Sequence, residues 1–250
     1  MSLNGLVVTA KEIIKQSEQG YSVQPFIIRA DDNEIYFVKG FNKAGPIGLV
    51  SEVLAAQLGK LLGLPIPDWR FMQIPQELID FSIINNIQDL SGGIAFASQQ
   101  VPNARDLLYT SIDKVSPSLQ LLVLIFDYWI QNQDRNLSSA GGNVNLLLSD
   151  DSELSVIDHN GAFYGDFNIG ELLELHVFKD VAPLAQDLAT RAELEKKFSE
   201  ALNQWCNITQ CLPAEWLYHY PDLVDKIKPT LEDRLDILNR FTQNSFWGQL

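Results

Sequence analysis

Along the first ninety residues, apolar positions come in short clusters between polar turns, whereas after about residue 105 they recur with a helical period. Thr9 is placed to cap a short helix running through Ser17, with Gly20 ending it. Residues 23–29 and 34–41 are β-rich, and Asp31-Asp32-Asn33 supplies the turn of a hairpin between them. Gly45-Pro46-Ile47-Gly48 precedes a strong helix over 51–62, whose apolar stripe is Val50, Val53, Leu54, Leu58, Leu61 and Leu62. Glu52, Ala55, Ala56 and Gly59 share an adjoining face, small enough to approach a sheet closely and carrying one carboxylate. Gly63 and Pro65 stop that helix, and strands are expected over 70–74 and 81–87.

Ser116-Pro117 reads as the N-cap and first residue of a nearly all-apolar helix to about residue 131. A helix that is apolar all round is the core of its domain. A β-hairpin near 144–157 interrupts the helical half, and further helices fit 191–206 and 229–241, with Thr230 and Asp233 spaced as a capping box. Ser91-Gly92-Gly93 breaks the pattern. The chain therefore reads as α+β, with a β-rich part over 1–95 and a mostly helical part over 96–250.

Composition narrows the function classes. With 18 basic and 32 acidic residues the formal charge is −14, a field that repels nucleic acid and anionic membrane surfaces. No direct nucleic-acid or membrane partner is expected. The apolar run 119–125 is far shorter than the roughly 20 residues of a membrane span, and no signal peptide is evident, so a cytoplasmic setting is expected. Cys206 and Cys211 lack the companion ligands of a zinc site and are expected to be reduced thiols.

The chemistry concentrates in 127–163. The apolar helix ends near Asp127 and is followed by Asn132-Gln133-Asp134-Arg135-Asn136, then Gly141-Gly142, Asn143-Val144-Asn145-Leu146-Leu147-Leu148 and finally Ile157-Asp158-His159-Asn160-Gly161. If residues 148 and 155 pair across the turn 149–153, Asn145 faces Asp158 at the open end of the hairpin. Directly opposed residues have Cβ atoms about 4.5–5.5 Å apart. A carboxylate and an amide oxygen so placed can share one Mg²⁺, and Asp134 hangs over the same end. Two acids and an amide in one place are what phosphoryl transfer requires.

Asp-Arg-x…Asn-Leu-Leu followed by Ile-Asp-x-x-Gly resembles the catalytic and metal-binding loops of protein-kinase-like enzymes, most of all the HipA-like kinases, and is similar in shape to those of the phosphoinositide kinases. The resemblance implies a two-lobed protein-kinase-like fold that binds Mg²⁺ and ATP between a small β-rich N-lobe and a larger helical C-lobe. It makes Asp134 the catalytic base and Asn145 and Asp158 the metal ligands. Glu34-Ile35-Tyr36-Phe37-Val38-Lys39-Gly40 looks like the strand ending in the ATP-binding lysine, with Glu52 as its ion-pair partner. Gly20-Tyr21-Ser22-Val23 stands where a phosphate-covering loop belongs, which makes Ser22 a cofactor-binding residue, although no Gly-x-Gly-x-x-Gly is present.

Two departures accompany the resemblance. Asp134 and Asn145 stand farther apart than in related loops, with Ser138-Ser139-Ala140-Gly141-Gly142 as an insertion and Asn143 as a second candidate ligand. Asn136 also stands where many relatives carry histidine. Arg135 is read as a brace for the loop, while His159 reads as structural and His176 has no evident partner.

The expected function is ATP- and Mg²⁺-dependent transfer of a γ-phosphate to a hydroxyl, that of a protein Ser/Thr. A pseudokinase that binds nucleotide or a partner, and a small-molecule or lipid kinase, are the alternatives. The resemblance also suggests a toxin–antitoxin setting with an antitoxin-like protein partner. Hydrolases are disfavoured because no Gly-x-Ser-x-Gly or His-Glu-x-x-His occurs.

Overall fold

The computed structural model describes residues 6–18, 23–219 and 224–250. It is a mixed α+β chain that divides into two compact units. The first takes residues 1–53, 67–101 and 211–227, and the second 54–66, 102–210 and 228–250.

The first unit is a closed five-stranded barrel. Its strands are β1 (Val7–Gln16), β2 (Phe26–Ala30), β3 (Ile35–Lys39), β4 (Trp69–Ile74) and β5 (Gly93–Gln99), in the order β1-β2-β3-β5-β4. Parallel pairing of Val7–Thr9 with Phe71–Gln73 closes the ring, so no strand keeps a free edge. β1 corrects the helix expected from Thr9 through Ser17. Val7, Val8, Ile13 and Ile14 are β-branched, and Val8 and Ala10 are buried alternately, so the sheet on either side of β1 decides the outcome.

The hairpin β2–β3 forms as expected about Asp31-Asp32-Asn33, with Asn33 at φ 68°. Residues 81–87 form no strand. A short helix α2 (Gln76–Asp80) leads into turns where Phe81 and Ile83 are 84% and 99% exposed. The barrel position belongs instead to β5, which runs through the Gly93 of the predicted break. Inside the ring, Phe26, Ile28, Tyr36 and Val38 pack against Ala95 and Ala97. Each large apolar side chain buried there contributes about 1.5–3 kcal/mol.

Helix α1 (Phe41–Leu62) begins earlier than expected, because a helical turn precedes Gly45. At Gly45 the backbone leaves helical geometry (φ 67°, ψ 164°), and the long segment restarts at Pro46. Val50, Val53, Leu54, Leu58 and Leu62 are buried as the stripe predicts, whereas Leu61 is exposed near the helix end. The small face packs closely as expected, although its neighbours are side chains rather than a sheet: a Cβ on Gly59 would lie 2.9 Å from Ile66 Cγ1 and 3.4 Å from Phe126. The helix stops at Gly63, where Gly63 N donates to Lys60 O and Leu64 N to Gly59 O.

The second unit carries a three-stranded sheet, β6 (Ala104–Asp106), β7 (Leu146–Ser149) and β8 (Leu154–Val156), in the order β6-β7-β8. Its central helix α3 (Pro117–Trp129) is capped by Ser116 Oγ, which accepts from Leu119 N, and is buried on nearly all sides from Gln120 onward. Around it stand α4 (Ile169–Leu175), α5 (Leu188–Leu202), α6 (Trp205–Thr209), α7 (Leu231–Asn239) and α8 (Asn244–Trp247). The single helix expected over 191–206 is two, separated at Asn203-Gln204, with Asp187 capping the first through Thr190 N. The Thr230–Asp233 capping box is present. Trp129 stacks on Phe198 with ring centroids 4.1 Å apart and 7° between planes, anchoring α5 to α3. Cys206 is exposed and Cys211 buried, and neither forms a disulfide.

Candidate active site

In the first unit, Lys39 ends β3, paired with Phe96. The next residue, Gly40, lies against the backbone of Leu90: a Cβ there would sit 2.0 Å from Leu90 O, so only glycine lets the chain turn out of the barrel at this point. α1 then brings Glu52 back beneath the strand end. Lys39 Nζ donates to Glu52 Oε1 at 2.5 Å, with both side chains buried. Lys39 and Glu52 are therefore together, as the sequence predicts. Ser22 lies outside the described residues.

In the second unit, the hairpin β7–β8 forms, but its register is one residue away from the predicted one. Leu146 faces Val156, Leu147 faces Ser155 and Leu148 faces Leu154. Ser149 N donates to Glu153 O, which leaves a three-residue loop, and Ser152 takes a left-handed φ of 63°. Asn145 thus stands opposite Ile157, whose N–H it accepts at 3.2 Å. The direct facing of Asn145 and Asp158 is corrected. Both residues leave the strand in left-handed conformation, Asn145 at φ 47° and Asp158 at φ 58°.

Asp134 meets this end of the hairpin. Asn145 Nδ2 donates to Asp134 O at 3.0 Å and approaches Asp134 Oδ2 at 3.5 Å. Asn143 Nδ2 also donates to Asp134 O, at 3.4 Å. Partial burial pushes the Asp134 carboxyl above its ordinary value; the Asn143 amide pulls it down, and the Asp158 carboxylate pushes it up again. Asp134, Asn143, Asn145 and Asp158 are therefore one electrostatic group.

The insertion does not prevent this. Ser138 and Gly141 exchange backbone hydrogen bonds at 3.0 Å each, Asn136 N donates to Asn143 O at 2.8 Å, and Asn136 Oδ1 accepts from Asn143 N. The extra residues fold into a tight hairpin of their own, so the chain returns to Asp134 after the detour. Asn136, in the place of the histidine of many relatives, holds the neck of that hairpin.

Beneath the group lies a buried polar hub absent from the sequence reading. Asp127, on the last turn of α3, accepts from Arg135 Nε at 2.6 Å, His176 Nε2 at 3.0 Å and Asn132 Nδ2 at 2.8 Å. Phe178 N donates to His176 Nδ1, so the ring proton sits on Nε2 and points at Asp127. Burial opposes ionisation of Asp127, but Arg135 and His176 outweigh it and hold the carboxyl well below the usual carboxylate range. Burial, helped by the Arg135 charge, lowers His176 below its ordinary value, while the Asp127 carboxylate pulls it up. Asn132 Oδ1 is buried, with no hydrogen-bond partner among the described residues. An acid inside an otherwise apolar helix was the available signal, since a buried carboxylate demands partners.

The donors at the hairpin end are all oxygens, of carboxylates and amides, which suits Mg²⁺ rather than a soft metal. Among the described residues no cluster of three or more His, Cys, Asp or Glu could hold a metal, and no helix is long and apolar enough to cross a membrane.

Comparison with known proteins bears on the family and the fold. The profile of a family described as HipA-like kinase matches residues 10–250. The fold is similar to the crystal structure of the proinflammatory kinase CtkA from Helicobacter pylori, with 12% identity, a TM-score of 0.50, and 96% of this chain and 95% of that one covered. A local match of 85 residues, 39% identical, links the chain to the envelope phospholipase OPG057 of Monkeypox virus and of Vaccinia virus (strain Western Reserve). That match takes in 31% of this chain and 22% of those proteins, so the chain spans about a fifth of their length.

Proposed function

The chain belongs to the HipA-like kinase family, and from that premise we propose that it transfers the γ-phosphate of ATP, with Mg²⁺, to a hydroxyl, that of a protein Ser or Thr. In this reading the two units act as the lobes of the kinase. Lys39, held in line by Glu52, binds the α- and β-phosphates, and Ser22 is assigned to the same nucleotide by the family resemblance alone. Asn145 and Asp158 hold the metal through their side-chain oxygens. When bound, Mg²⁺ supplies positive charge against the phosphate oxygens.

Asp134 acts as base. Its carboxyl, raised by partial burial and by Asp158, is poised to accept the proton of the acceptor hydroxyl. The donors from Asn143 and Asn145 fix the backbone of Asp134 and so orient that carboxylate. The observation that carries the reading is this convergence of Asp134 with Asn145 and Asp158 despite the inserted loop. An antitoxin-like protein partner is carried by the family alone and belongs to the same proposal.

The test is a melting measurement with ATP, with and without Mg²⁺, on wild type, Asp158→Ala and Asp134→Ala. Wild type is expected to rise in a Mg²⁺-dependent manner. Asp158→Ala loses that rise, while Asp134→Ala keeps it and loses transfer of labelled phosphate to protein acceptors. No rise in wild type at any ATP or Mg²⁺ concentration removes the proposal. Labelling of small-molecule hydroxyls but not of proteins moves the acceptor to that class.

A further inference from the structure

Asn145 and Asp158 sit where the β7–β8 ladder gives out, and both have left-handed backbone. A strand end of this kind splays unless its carbonyls find donors. Here they do. Arg135 Nη1 donates to Asn145 O and, at 3.3 Å, to Ile157 O, the carbonyl just before Asp158. One guanidinium nitrogen therefore bridges both arms of the hairpin, replacing the ladder bonds that end there. Arg135 is fully buried.

The guanidinium is aimed from below. Arg135 Nε and Nη2 both reach the Asp127 carboxylate, at 2.6 and 3.5 Å. That carboxylate also takes the His176 Nε2 proton and the Asn132 amide. His176 is tied in turn by Phe178 N on its other nitrogen and by Val177 N donating to Arg135 O at 3.1 Å. Every acceptor direction of Asp127 is used, which leaves Arg135 little freedom to turn.

We infer that His176 and Asp127 are positioning residues for the metal site, acting through Arg135, which sets the spacing between the side chains of Asn145 and Asp158. The inference rests on the metal-binding role proposed above for those two residues. His176 lies some thirty residues beyond Asn145 in sequence and outside the loop motifs, so the 169–178 segment becomes part of the catalytic apparatus without touching substrate.

The test uses the full chain with His176→Leu, His176→Gln and Arg135→Lys. Glutamine retains an N–H near the position of Nε2; leucine does not. Lysine retains the charge but cannot contact Asp127 and both carbonyls together. Two quantities are read: the Mg²⁺ concentration giving half of the ATP-dependent melting shift, and hydrogen exchange of the Ile157 amide, which Asn145 O accepts. His176→Leu and Arg135→Lys are expected to raise the half-effect Mg²⁺ concentration about tenfold or more and to speed exchange at Ile157, whereas His176→Gln stays near wild type.

A merely structural role lowers the melting temperature in proportion to lost packing and leaves the half-effect Mg²⁺ concentration unchanged; that result overturns the inference. Should His176→Leu not fold, Arg135→Lys carries the same two readings. If wild type itself shows no Mg²⁺-dependent shift, the metal reading falls, and exchange alone decides. Ile157 exchange that is fast in the leucine variant and slow in the glutamine variant sustains the positioning role, and unchanged exchange ends it.

Discussion

Removing Glu52 is expected to destabilise the first unit far more than removing Lys39 and Glu52 together. At the 2.5 Å separation of Lys39 Nζ and Glu52 Oε1, Coulomb attraction at an effective dielectric of 20 amounts to about 6–7 kcal/mol. Desolvating two ions costs several kcal/mol each, so the pair as a whole nets close to zero. Deleting one carboxylate removes the attraction while the ammonium stays buried, which costs about 3–5 kcal/mol. For a chain of this size each kcal/mol moves the melting temperature by roughly 2–4 °C, so Glu52→Leu is predicted to melt about 6–20 °C below wild type. The double variant Lys39→Met/Glu52→Leu is predicted to lie within about 1.5 kcal/mol of wild type, because volume is kept and no charge is left behind. A double-mutant cycle read by thermal and urea unfolding, without nucleotide, measures the coupling directly. A coupling below about 1 kcal/mol refutes the reasoning, since that is the range of a solvated surface pair. Lys39→Met, Glu52→Leu and the double variant are all expected to lose the ATP response, which separates the stability of the pair from its proposed use.

Two further outcomes are expected. A Cβ at position 142 would sit 2.5 Å from Asn136 O, so Gly142→Ala should pry open the neck of the inserted hairpin and shift Asn143 away from Asp134; phosphate transfer should drop well before the melting temperature does, and equal activity of the alanine variant argues that the insertion is a bystander. Asp127 is depressed below its ordinary value of 3.8 by Arg135 and His176, so the stability it contributes is present above the unfolded pKa and is lost as pH falls below about 4, with a slope approaching about 1.4 kcal/mol per pH unit for one proton; Asp127→Asn should flatten that acid limb, and an unchanged limb removes Asp127 as its source.

Local chemistry was the legible part of this sequence. The Ser116 cap, the Thr230 capping box, the β2–β3 turn and the meeting of Lys39 with Glu52 all follow from residues close in sequence or one element apart. What failed depended on partners far along the chain. Residues 7–16 suit either a helix or a strand until β2 and β4 are in place, and 81–87 lost its strand because β5 takes the position beside β3 and β4. The β7–β8 hairpin, by contrast, slipped by one residue for a local reason: the tight loop 150–152 depends on a left-handed Ser152, a residue with no strong preference for it. That slip did not scatter the site, because Asn145 and Asp158 both depart from the strand geometry on which the pairing argument relied. Arg135 was read as a brace, but Asp127 and His176 beneath it were out of reach, since nothing local ties position 127 to 176.

The barrel has a debt to the far end of the chain. Trp216 lies with its ring centroid 5.6 Å from that of Phe71 on β4, and the segment 211–227 belongs with the barrel in the first unit. All five strands have been synthesised once Gln99 emerges, yet the indole that covers Phe71 follows more than a hundred residues later. At 5–20 residues per second a ribosome needs roughly 6–23 s to deliver it. Until then the Trp216 ring is missing from the face of Phe71, so the packing of the barrel is completed only by a segment from the last sixth of the chain.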